Sequence, residues 1–130
     1  MEAMHTERLE NGLCLEFFDH SNRYFGNFHR LLIKVRCLVP LDEAIFAADE
    51  NPRQALAEAR KALGGEAVYN RELTRMGVPG EEVEAVRRQL IEKFMESGRT
   101  YLGSPVFPQR FVRQALNRQS RPGRILPFSS

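Results

Sequence analysis

The chain is poor in cysteine: two of its 130 residues, Cys14 and Cys37. They are too few and too widely spaced for a CxxC metal or redox motif. No apolar run approaches the roughly 20 residues that a membrane-spanning helix needs. MEAMHTERLENG at the N-terminus mixes acids with polar residues and lacks the apolar stretch of a secretory signal. The expectation is a cytoplasmic protein with reduced thiols and no membrane partner. A glycine-rich phosphate loop is also missing. Gly64-Gly65 follows a helical pattern rather than leading from a strand into a helix, so it cannot cradle a phosphate on a helix N-terminus.

Acid is absent from one region. Residues 1–96 carry 13 basic and 17 acidic side chains, whereas residues 97–130 carry six arginines and no carboxylate. The net charge of +2 therefore hides an acidic body and a basic C-terminus. Arg110, Arg113, Arg118, Arg121 and Arg124 are candidates for contact with nucleic acid or an acidic protein, since a guanidinium donates two parallel hydrogen bonds to a phosphate or carboxylate. The bland reading is that they neutralise the acidic body within the same fold. No helix-turn-helix, RNP, KH or zinc-finger pattern accompanies them.

The length suits one domain, taken here as residues 1–118 with a basic, mobile tail over 119–130. Leu13, Leu15 and Phe17 alternate with Cys14, Glu16 and Phe18, and Leu31, Ile33, Val35, Cys37 and Val39 alternate with residues that include Arg30, Lys34 and Arg36. A period of two predicts two strands, ended at Pro40. The cations on the outward phase also discourage strand-to-strand aggregation. With the turn centred in Phe17–Phe28, Leu15 faces Leu31, Cys14 faces the region of Leu32 and Cys37 lies near Leu9, so the thiols do not meet. Asn11-Gly12 has hairpin-turn chemistry. A tight turn there sets Glu7 opposite Glu16, an unfavourable like-charge pair.

Leu41–Ala48 is a helix candidate, with Asp42 as its cap. Asn51-Pro52 is a stronger helix start, because asparagine accepts from orphan amides and proline at the first position loses no hydrogen bond. Ala55, Leu56, Ala59, Ala62 and Leu63 form its stripe, and Gly64-Gly65 stops it. Glu66–Met76 fits both a helix and a strand. The instability of a two-stranded sheet favours a strand. Val78-Pro79-Gly80 reads as a turn. A helix follows over Glu81–Glu96 with Val83, Val86, Leu90 and Phe94 inward and Gly98 as its end. A shorter one spans Pro108–Asn117. The order predicts an α+β fold: an antiparallel sheet of three or so strands packed on one face by two to four helices.

The most chemically suggestive stretch is FFDHSNRYFGNFHRLLIKVR, Phe17–Arg36. Asp19, His20 and Ser21 are adjacent in sequence, whereas triad members converge from separate segments. Asp19, Ser21, Asn22 and Gly26 are turn residues. His20 and His29 supply two imidazoles where zinc wants four ligands. An enzyme built on Asp19, His20 and His29 ranks last, and no catalytic residue, cofactor or metal is assigned. The aromatic residues here exceed what one sheet face buries. Phe18, Tyr24 and Phe25 form a candidate partner patch, with a homodimer through the hairpin as the expected use.

Asp19-His20-Ser21 followed by Gly26 resembles the aspartate-x-serine-x-x-glycine motif of PilZ domains, β-barrels that bind cyclic dinucleotides. Four residues rather than two separate serine from glycine, the upstream RxxxR pair is missing, and helices follow Leu41, so that reading is set aside. Asn11-Gly12-Leu13, Leu15-Glu16, Asp19-x-Ser21, Tyr101-Leu102 and Phe107-Pro108 together resemble a small bacterial family of unassigned function. That resemblance implies a compact bacterial domain and no activity. The leading expectation is a non-enzymatic binding or adaptor module that self-associates through hairpin 17–36. The alternative is a nucleic-acid-associated protein using the basic C-terminus.

Overall fold

A computed structural model describes residues 2–119. Arg121 and Arg124, and with them all of the expected tail except Gln119, lie outside the described residues. The elements are β1 (His5–Arg8), β2 (Cys14–Asp19), β3 (Asn22–Phe25), β4 (Phe28–Pro40), α1 (Pro52–Leu63), β5 (Glu66–Pro79), α2 (Val83–Leu102) and α3 (Phe107–Gln119), with short 3-10 turns at Glu43–Phe46 and Gly80–Glu82. This is an α+β fold with an open antiparallel sheet of five strands rather than three. By contacts the described residues group into two compact units, residues 2–37 with 69–104 and residues 38–68 with 105–119.

In the first unit β1 pairs with β2, and β2 and β3 follow one another along the same edge of β4. Both registers differ from the sequence expectation. Leu15 faces Cys37, Phe17 faces Val35 and Asp19 faces Ile33, because the chain reverses at Gly26-Asn27 and not in the middle of the aromatic stretch. Gly26 takes a positive φ of 54° there, which costs glycine little. In the first hairpin Glu7 faces Leu15 and Thr6 faces Glu16, so the carboxylates avoid each other. The shift comes from a longer loop in which the Leu9 N–H donates to the Leu13 carbonyl and Gly12 sits at φ 91°.

Cys14 and Cys37 end up one position apart on neighbouring strands. Opposite pleats leave Cys14 exposed and Cys37 buried, and both are free thiols. Burial, reinforced by the nearby Cys14 and Glu16, pushes the Cys37 thiol up to about 11. Leu15, Phe17, Leu31, Ile33, Val35 and Cys37 all point inward and are nearly inaccessible. α2 lies against this face, with Phe94 edge-on to Phe17 at 6.1 Å between ring centres.

α2 starts two residues later than expected and runs through Gly98 to Leu102. Gly98 is a packing glycine. A Cβ there would come within 3.1 Å of the Phe94 ring. The helix ends at Gly103, whose N–H donates to the Arg99 carbonyl at 3.0 Å. Asn11, at the tip of the first hairpin, donates to the carbonyls of Leu102 (2.8 Å) and Ser104 (2.9 Å), satisfying acceptors that a helix end leaves open.

Glu66–Met76 is a strand, and it continues through Val78 to Pro79 where a turn was expected. β5 pairs with β4. At one end the Gly80 N–H donates to the Asn27 carbonyl, and at the other the Leu41 N–H donates to the Gly65 carbonyl, so the pair is antiparallel.

In the second unit α1 has its expected start. Asn51 caps it by accepting from the Gln54 amide, and Gly64 ends it. The segment after Leu41 makes only a 3-10 turn, capped by Asp42. That turn, α1 and α3 pack together over Ile45, Phe46, Leu56, Ala59, Phe107 and Val112.

Candidate functional site

The polar cluster at Asp19–Ser21 lies at a kink between β2 and β3, not at the hairpin tip. Strand pairing is interrupted there, and the side chains repair it. The His20 N–H still donates to the Leu32 carbonyl at 2.8 Å. In the return direction the Leu32 N–H donates to Ser21 Oγ at 3.0 Å, so the serine hydroxyl takes the place of a strand carbonyl. Asp19 Oδ1 accepts from the Ser21 amide at 2.9 Å. Its other oxygen meets Arg87 of α2 at 2.9 Å. Burial raises the Asp19 pKa, but the hydrogen bonds from Ser21 and the Arg87 charge outweigh it and hold the carboxyl below its ordinary value.

Arg87 also pairs with Glu84, and its Nε is buried without a hydrogen-bond partner. Both Asp19 oxygens and the Ser21 hydroxyl are engaged in these structural contacts. His20 is exposed at the kink, and His29 sits further along β4 opposite Arg23. Among the described residues no group of three or more metal-ligating side chains comes together.

The tip is the reverse case. Phe25 and Phe28 face each other across the Gly26-Asn27 turn. Phe25 is 72% exposed, Tyr24 49% and Phe28 43%. A Cβ at Gly77 of β5 would lie 3.9 Å from the Tyr24 hydroxyl, and the neighbouring Met76 is also exposed, at 59%. Phe25 and Phe28 thus form an exposed aromatic pair at the tip, with exposed Tyr24 next to Phe25 on β3. Phe18 does not join them. It sits on β2 opposite Lys34 and carries the Arg36 guanidinium over its ring at 4.9 Å, while Arg36 itself bonds Glu16 at 2.9 Å.

Phe28 was legible as soon as Gly26-Asn27 is taken as a two-residue turn, since the flanking residues must then face each other.

The tip is held firmly. Asn27 donates through its side chain to Glu81 at 3.0 Å and accepts through its carbonyl from Gly80 at 2.9 Å. Gly80 has no room for a side chain, as a Cβ would lie 2.5 Å from Asn27 Oδ1. Exposed Glu81 holds Asn27 beside the aromatic pair, with Arg23 exposed on β3 and Arg30 half-buried on β4. The rim therefore carries charges of both signs.

Of the C-terminal arginines, Arg113 pairs with Asp49 in the second unit. Arg110 and Arg118 are exposed on α3 and pair with no carboxylate among the described residues. The class this geometry defines is an open-sheet α+β protein with an exposed aromatic hairpin. No family model, no curated protein and no solved structure matches the chain.

Proposed function

We propose that the protein is a non-enzymatic binding module that docks through the tip of the β3–β4 hairpin, and that the docked partner is a second copy of the chain. The observation that carries this reading is the exposure of Phe25, paired with an exposed Phe28 on a tip anchored by Asn27, Gly80 and Glu81. An exposed apolar cluster on a rigid support is costly to leave in water and marks an interaction surface. A second copy suits it because the rim is self-complementary. Arg23 and Arg30 on the hairpin and Glu81 bonded to Asn27 let a two-fold contact bury the aromatics while opposite charges meet around them.

The test is the mass in solution as a function of concentration. The wild type sediments as a dimer at tens of micromolar, and Phe25→Asp is monomeric with an unchanged melting temperature. A wild type that stays monomeric at millimolar concentration ends the proposal.

A second reading has its own support. α3 has no acid, and Arg110 and Arg118 are unpaired with carboxylates among the described residues. This favours an anionic partner such as nucleic acid at the C-terminus. Binding should then weaken steeply with salt, and the double replacement Arg110→Gln, Arg118→Gln should weaken it further. A salt-insensitive gel shift, or none, argues against it.

A further inference from the structure

A cleft of about 540 Å³ opens between β5 and α2 within the first unit, inside the roughly 300–1,000 Å³ that small-molecule ligands occupy. The sequence builds it from two periodicities. Tyr69, Arg71 and Leu73 alternate along one face of β5. Lys93, Ser97 and Tyr101 recur every four residues along α2, beside the Phe94 stripe. The floor is apolar and flat, because Gly98 lets the Phe94 ring lie against the helix.

The chemistry of the lining is one-sided. Arg71 and Lys93 both line the cleft, and no carboxylate does. Neither cation makes an ion pair among the described residues. Arg71 lies over the Phe94 ring, 6.0 Å from its centre. A larger groove of about 670 Å³ between β1 and α2 is different in kind. It holds Arg87 and Arg99, but Glu84 and Glu7 already neutralise them.

We propose that the β5–α2 cleft is a binding site for a planar aromatic ring carrying a phosphate monoester, a nucleoside monophosphate in size and charge. The two cations match a phosphate of nearly two negative charges. The Arg71 fork donates two parallel hydrogen bonds to it, and Ser97 adds a hydroxyl donor. Tyr69 and Tyr101 line the cleft beside the Arg71-covered Phe94 ring, aromatic surroundings suited to edge-on packing against the base. This inference is independent of self-association, since Phe25 and Phe28 are not part of the lining.

The experiment is a titration of the full chain, followed by amide NMR, with each of the four common nucleoside 5′-monophosphates, with the parent nucleosides and with inorganic phosphate. At least one monophosphate should give saturable shifts confined to residues around Arg71, Leu73, Ser97 and Tyr101. The matching nucleoside and inorganic phosphate should each bind about tenfold more weakly, as should the Arg71→Gln variant. The proposal is overturned if no monophosphate gives saturable shifts at millimolar concentration, or if the shifts fall outside the cleft. It is equally overturned if inorganic phosphate binds as tightly as the nucleotide. Arg71 and Lys93 are both exposed, so Arg71→Gln and Lys93→Gln should retain the wild-type spectrum. Unchanged affinity in both folded variants would also sink the assignment.

Discussion

Two ends of one β arm carry opposite kinds of residue and use them in opposite ways. At the kink, Asp19 and Ser21 look like the makings of an active site, yet the aspartate is bound to a backbone amide and Arg87, and the serine replaces a strand carbonyl. At the tip, Tyr24, Phe25 and Phe28 look like core residues, yet they face solvent. The difference teaches that residue type is a poor guide to use where a strand is interrupted. A buried backbone N–H must find an acceptor, and the nearest hydroxyl or carboxylate is taken for it. Aromatic rings have no such obligation and stay out wherever no layer covers them.

The contrast predicts a graded set of responses. Asp19→Ala should be the most damaging, by about 2–3 kcal/mol in denaturant unfolding, since it removes the Ser21 turn and leaves Arg87 short of a partner. Because the folded-state carboxyl titrates below its ordinary value, the stability it contributes is fully present above the unfolded-state pKa and is lost as pH falls through the lower folded-state value. Stability of the wild type should therefore drop in acid below the usual carboxylate range, and the drop should be shallower in Asp19→Asn. A wild type and variant with identical acid limbs would show that the kink does not depend on this charge.

Ser21→Ala should cost about 1–2 kcal/mol by orphaning the Leu32 N–H. A neutral result would mean that the His20 carbonyl recovers the strand bond. Gly80→Ala tests the support of the tip. Its Cβ must displace Asn27 from Glu81, for about 1 kcal/mol, with dimer dissociation in the proposed assembly. Phe25→Asp should be the mildest in stability, within about 0.5 kcal/mol, and the most damaging to self-association. If it unfolds the chain instead, the tip is part of the core and the comparison fails.

Much of the architecture was legible. The alternation of Leu31 to Val39 marks β4, and Asn51-Pro52 with Gly64 brackets α1, because period and capping are local properties. Asp19–Ser21 was rightly read as turn chemistry, but its place was missed. The turn signals from Asp19 to Gly26 cover two separate features, a kink and a reversal, and composition alone does not separate them. Gly98 was misread for a related reason. A glycine in a helical pattern looks like a stop, but here the Phe94 ring packs onto the space it leaves.

What the sequence by itself determined is β2, β4 and the three helices, their inward faces and the lopsided charge, since each depends on neighbours a few residues away. What only tertiary structure decided is register and company. A strand pair slid by several residues keeps its alternation, so only closure at Gly26-Asn27 puts Leu15 opposite Cys37 and Phe25 opposite Phe28. Only the pairing of β5 with β4 and the packing of α2 on β5 bring Gly80 to Asn27 and Arg71 into one cleft with Lys93. Such contacts join residues far apart in the chain, and no local propensity encodes them.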